Sequence, residues 1–145
     1  MPSKREQVLS TLFTKMKALE TASIKVYRNL DKPQKITDKG VIILRDGAED
    51  EPEVLLNPLT YIYEHLVNAE AVVQAADQKT RDDLLDALLV SIGSVINANR
   101  TLNGLAEWVE ARSPDYQQEP IEGAESIRSA TVQIMIRYFT TDPLN

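Results

Sequence analysis

The sequence predicts an α+β fold: a largely antiparallel mixed sheet with two amphipathic helices packed on one face. Three observations predict it. Apolar residues recur at three- and four-residue steps near the N-terminus and again in mid-chain. Two long segments alternate apolar with polar residues, and one short apolar run is unbroken.

Ser3-Lys4-Arg5-Glu6 reads as a capping box, the Ser3 hydroxyl accepting from the Glu6 amide while the Glu6 carboxylate reaches back to the Ser3 amide. The helix it starts carries Val8, Leu9, Leu12, Phe13, Met16 and Leu19 as one stripe and is expected to end near Thr21. The β-rich letters 24–27 predict a short strand, and 31–39 a polar loop containing Pro33, which has no N–H for a ladder. Val41-Ile42-Ile43-Leu44 reads as a strand buried on both faces, and Asp46-Gly47 as a hairpin turn to a partner strand at 53–57.

Beyond Pro58, the segment 60–74 is a long strand of period two. Tyr61, Tyr63, Val67, Ala69, Ala71 and Val73 lie on one face, and Glu64, Asn68, Glu70 and Gln74 on the other. Asp77 and Thr80 compete to cap a second helix, whose stripe is Leu84, Leu85, Leu88, Leu89, Ile92, Val95 and Ile96. Gly93 within it costs about 1 kcal/mol relative to Ala, so close packing against the sheet is expected there. The stretch 105–111 reads as strand rather than helix, and 113–125 as a long loop, a length that usually signals function. Ala130, Val132, Ile134, Ile136 and Tyr138 alternate with polar residues in a final long strand.

At 145 residues and 16.3 kDa with mean hydropathy −0.27, the chain suits a single domain over 1–145. No cysteine is present, which removes disulfides, zinc-thiolate sites, iron–sulfur clusters and a catalytic thiol. With no apolar leader and no span-length apolar segment, an intracellular protein is expected. Net charge is −6, which opposes tight direct binding to duplex DNA. Its distribution is uneven: residues 1–40 hold nine basic and four acidic groups, residues 41–145 seven and eighteen. Opposed potentials of this kind suit a subunit that meets its neighbour through unlike faces.

Catalytic motifs are missing. There is no Walker loop, dinucleotide fingerprint or HExxH, and no EF-hand order of acids and glycine. His65 is the single histidine, with no serine elbow or second ligand beside it, so a packed or interface imidazole is the expectation. No catalytic residue, cofactor or metal site is assigned. Asn99-Arg100-Thr101 matches a glycosylation sequon by chance.

Five phrases remain: PSKREQVL at 2–9, ILRDG at 43–47, EPEVLLNPLTYIYEH at 51–65, RTLNGLAEWVEA at 100–111 and TTDPL at 140–144. In their joint order and spacing, they make the chain resemble the tail terminator, or tail completion, proteins of long-tailed phages, prophages and gene-transfer particles. The resemblance implies a structural, non-enzymatic virion protein that forms a hexameric ring at the head-proximal end of the tail tube. Such a ring stops tube growth, joins the tube to the head-completion (stopper) protein, and lets DNA through an acidic lumen without specific binding. Its place would be the tail or neck of the virion, assembled in the host cytoplasm. Relatives sometimes carry enzyme labels such as acyl-CoA transferase, a chemistry that none of these residues supports.

Under that reading the candidate subunit or partner contacts are Lys32, Lys35 and Lys39 in the first polar loop, and Arg45, Asp46, Glu49 and Glu51 around the expected turn. Tyr61 and Tyr63 on the long strand, and Tyr116, Glu119 and Glu122 in the second long loop, complete them. Two alternatives stand beside it: a small soluble enzyme or acyl-group binder, separable by oligomeric state and ligand response, and a tail-assembly chaperone, separable by absence from finished virions.

Overall fold

In the computed structural model, the described residues are 2–31, 35–119 and 125–145, the side chain of Glu119 excepted. Two long strands form the spine: β4 (Leu59–Ala75) and β7 (Ser126–Thr140) pair antiparallel without a break from Tyr61↔Thr140 to Ala75↔Ser126. On the outer side of β4 lies β2 (Gly40–Glu49), antiparallel to it, and beyond β2 lies β1 (Ile24–Arg28), parallel to β2. β3 (Glu53–Leu56) continues the β2 side along the first residues of β4. β5 (Trp108–Ala111) and β6 (Asp115–Glu119) lie end to end along β7. The seven-stranded sheet is mixed and largely antiparallel, and with α1 (Lys4–Lys17) and α2 (Gln78–Ala98) it makes the predicted α+β fold.

The period-two pattern sets the layers. Val67, Ala69, Ala71 and Val73 of β4 pair across from Ile134, Val132, Ala130 and Arg128 of β7. The apolar members of that set are buried with Ile42 and Leu44 of β2 beneath Val8, Leu12 and Met16 of α1 and Leu85, Leu88, Ile92 and Ile96 of α2. Ala69, Ala71 and Ala130 are small and buried, and α2 lies against both spine strands. Leu88 also packs close to Gly40, where a Cβ would lie 2.7 Å from its Cδ1.

Several sequence expectations are corrected. α1 ends at Lys17, capped by Ala18, not near Thr21. Ser3 accepts from the Glu6 amide at 3.1 Å, but the Glu6 carboxylate binds Arg28 rather than the Ser3 amide. Asp77, not Thr80, caps α2, accepting from the Thr80 amide at 3.0 Å. Asp46-Gly47 is no hairpin turn: β2 runs through it, and the pairing with β4 slips between Arg45↔Asn68 and Ala48↔Leu66, so the pair forms a bulge. Gly47 has φ +66°, and a Cβ there would sit 1.9 Å from the Leu66 carbonyl oxygen, which only glycine avoids. The segment 53–57 therefore pairs with β4, not β2, turning at the cis Asn57–Pro58 bond. β5 is confirmed as strand but is shorter than 105–111. The expected loop 113–125 contains β6. Gly93 meets nothing within 4 Å at its Cβ position, so packing does not require it.

Candidate interaction surface

At the end of the sheet where β2 leaves its bulge, charged side chains bind α1, β1, β2 and β7 together. Arg28 of β1 grips two carboxylates bidentately: Nη1 and Nη2 donate to Glu6 at 2.7 and 3.0 Å, and Nε and Nη2 donate to Asp46 at 2.9 and 3.1 Å. Those bonds raise the Arg28 pKa, and the same contact lowers that of Glu6. Burial alone would raise Asp46, but hydrogen bonding with Arg28 and Asn29 outweighs it and its pKa is lowered. Beside this pair, Glu49 accepts from Arg5 Nε at 2.5 Å and from the Tyr138 hydroxyl at 2.8 Å. Arg5 also donates to the Pro143 carbonyl at 2.9 Å, fastening the C-terminal segment. Tyr138 is buried, stacked on Tyr63 with ring centroids 5.5 Å apart, and burial followed by the bond to Glu49 pushes its phenol above the usual range.

His65 lies in the same region, 3% exposed, with Nε2 against the Asp46 carbonyl oxygen and Nδ1 without a hydrogen-bond partner among the described residues. With Nε2 donating to that carbonyl, the imidazole ties β4 to the bulge. Among the described residues, no three His, Cys, Asp or Glu side chains converge as a metal site, and no helix is long and apolar enough to cross a membrane.

This network takes up some of the candidate contacts. Asp46 and Glu49 are partly buried as ion-pair partners of Arg28 and Arg5, and Tyr63 is part of the core. Tyr61 is partly buried and packs against that core. Arg45 stays on the helix-free face, 3.4 Å from Glu70 and bonded to the Leu30 carbonyl at 3.0 Å. Lys35, Lys39 and Glu51 are exposed, and Tyr116 is exposed with the Arg128 guanidinium 5.2 Å above its ring. Lys32 and Glu122 lie outside the described residues, and Glu119 is placed only by its backbone, paired with Ile127.

One surface was not singled out from sequence: the β3–β4 hairpin. Every residue of β3 is exposed, with Val54 43%, Leu55 47%, Leu56 82% and Leu59 45% accessible. By register, Val54 faces with Tyr61 and Leu56 with Leu59, so these apolar residues continue the core side of the sheet where no helix covers it. The unbroken Val54-Leu55-Leu56 run was the available signal, because consecutive apolar residues in a strand cannot all face one core. At the base of this arm, Asp50, Glu51, Glu53, Ile62, Glu64 and Arg137 line a cleft of about 220 Å³. There Arg137 bridges Glu64 at 3.2 Å and Glu107 at 2.9 Å. A second exposed aromatic, Trp108, lies under the Arg100 guanidinium at 4.9 Å.

No protein-family model matches the chain, and no curated protein matches it. Among solved structures, it is similar to a chain from the virion of a native gene transfer agent (GTA) particle, with TM-score 0.53 and 12% sequence identity. The likeness covers 91% of this chain and 94% of that chain. At that identity the shared property is the fold, over nearly the whole of both chains.

Proposed function

We propose that this chain is a structural, non-enzymatic component of a phage-like virion: a tail terminator, one domain over residues 1–145. It assembles as a ring, hexameric by the sequence resemblance, at the head-proximal end of the tail tube and joins the tube to the stopper protein. The observation that carries this reading is the fold shared almost end to end with a chain of a gene transfer agent virion. The exposed apolar arm also supports it, because a hairpin with four accessible large apolar residues is a surface that a partner is expected to cover. The helix-free sheet face and the net charge of −6 suit a lumen through which DNA slides unbound.

The test is the mass of the purified chain by light scattering, alone and after mixing with tail tubes, with electron microscopy of the mixture. A hexamer, or a monomer that becomes a ring capping one tube end, is the expected result. A monomer or dimer that ignores tubes would overturn the proposal and favour a chaperone or a small enzyme.

A further inference from the structure

We propose that the β3–β4 arm docks head-to-tail on a second copy of this chain, its acidic root lying against Lys25 and Lys39, where β1 and β2 begin, of that copy. The inference rests on the ring reading above and names the surfaces through which the ring closes.

The arm is an uncovered part of a core. Inside the body, the face that holds Val67 and Ala69 is sealed by α1 and α2. On the arm, the same face presents Val54, Leu56 and Leu59 with nothing over them. A small apolar patch gains from burial at about 25 cal/mol per Å² whichever partner covers it, so charge must choose the partner. Residues 49–53 hold four acidic groups and no basic one. Asp50, Glu51 and Glu53 are exposed and make no ion pair among the described residues. Two arms meeting each other would bring these carboxylates face to face, and like-charge juxtaposition disfavours that symmetric contact.

The opposite sign sits at the far end of the sheet. Lys25, at the start of β1, and Lys39, immediately before β2, lie there. Lys39 lies across from Ser23, its amide donating to the Ser23 carbonyl at 3.0 Å, and Lys25 pairs with Val41 on the neighbouring strand. Lys25, Lys35 and Lys39 make no ion pair among the described residues. Val41 in turn pairs with Val72 of β4, while the arm is formed by the first residues of that strand. Glu49 and Glu53 pair with His65 and Ile62, so the two patches are roughly 23–33 Å apart along β4, at about 3.3 Å per residue, beyond the reach of one another within one chain. Unlike patches at opposite ends of a subunit make a heterologous contact, the type that closes into rings when the rotation permits.

The absence of native cysteine makes the test direct. Chains carrying Glu53→Cys and chains carrying Lys39→Cys are mixed under mild oxidation, alone and with tail tubes, and resolved without reductant. The mixed disulfide is expected to dominate. In addition, Glu51→Lys with Glu53→Lys should weaken association up to about fivefold per pair lost, and mixing with Lys25→Glu, Lys39→Glu chains should restore it. Self-linking of Glu53→Cys chains would overturn the proposal in favour of arm on arm. Rings that form without the mixed disulfide would overturn the docking alone and point to the tube or stopper as the arm's partner. A chain that stays monomeric in both conditions would overturn the docking and the ring together.

Discussion

The Tyr138 hydroxyl donates to Glu49 Oε2 at 2.8 Å across 89 positions of sequence, joining the end of β7 to the end of β2. Because Glu49 also holds Arg5 of α1, one carboxylate fastens three elements. Tyr138→Phe preserves the ring stack on Tyr63 but takes a donor from a half-buried charge, and should cost about 1.5–3 kcal/mol. Urea denaturation measures it, and a loss below about 0.5 kcal/mol would mean that Arg5 alone satisfies Glu49.

The Arg28 clamp sets the acid limit of stability. Glu6 and Asp46 have lowered pKa values in the folded chain, so the unfolded chain binds more protons as the solution acidifies through their ordinary range. Their contribution is full above roughly pH 4.5 and is lost as pH falls through the lowered native values. Melting temperature followed from pH 6 to pH 2 should drop along that limb. Arg28→Gln should lower the plateau and flatten the drop, whereas an unchanged slope would show that other carboxylates control it.

Two glycines should respond in opposite directions. Gly47→Ala puts a Cβ against the Leu66 carbonyl at positive φ and should destabilise by roughly 2–4 kcal/mol. Gly93→Ala fills open space on a helix and should stabilise by about 0.5–1 kcal/mol. Thermal melts of the two variants check both signs.

Leucine on the arm and isoleucine in the core should separate assembly from folding. Ile134→Ala, at a fully buried position, should cost about 2–5 kcal/mol. Leu56→Ser, at 82% exposure, should leave the monomer within about 0.5 kcal/mol of the parent while reducing the mass of any assembly. Equal destabilisation by both would show that the arm packs in the monomer.

The helices and the spine strands were legible in the sequence because their stripes follow the periods 3.6 and 2, and Leu85, Leu88, Ala71, Ile134 and their neighbours are buried as those periods require. The pairing of the short strands was not. Asp46-Gly47 has the chemistry of a hairpin turn and equally that of a bulge, and only its long-range partners Asn68 and Leu66 decide between them. β6, with the sequence DYQQE, shows no apolar alternation and exists because β7 offers it a backbone edge. The ion pairs of Asp46 and Glu49, read from sequence only as candidate contacts, were not legible either, because their partners Arg28 and Arg5 lie far away in sequence.

The uninterrupted β4–β7 ladder has a consequence for synthesis. The strand that completes the centre of the sheet ends at Thr140, near the C-terminal end of the sequence. On the ribosome, α1, β1, β2 and β4 emerge first, and the slot beside β4 stays empty until the last of the spine has been translated. During that interval β4 is a bare edge about 55 Å long, at 3.3 Å per residue over its 17 residues. β5 and β6 have no strand to join before β7 arrives. A nascent chain of this protein is thus a sheet awaiting its middle, most exposed to mispairing until β7 has emerged.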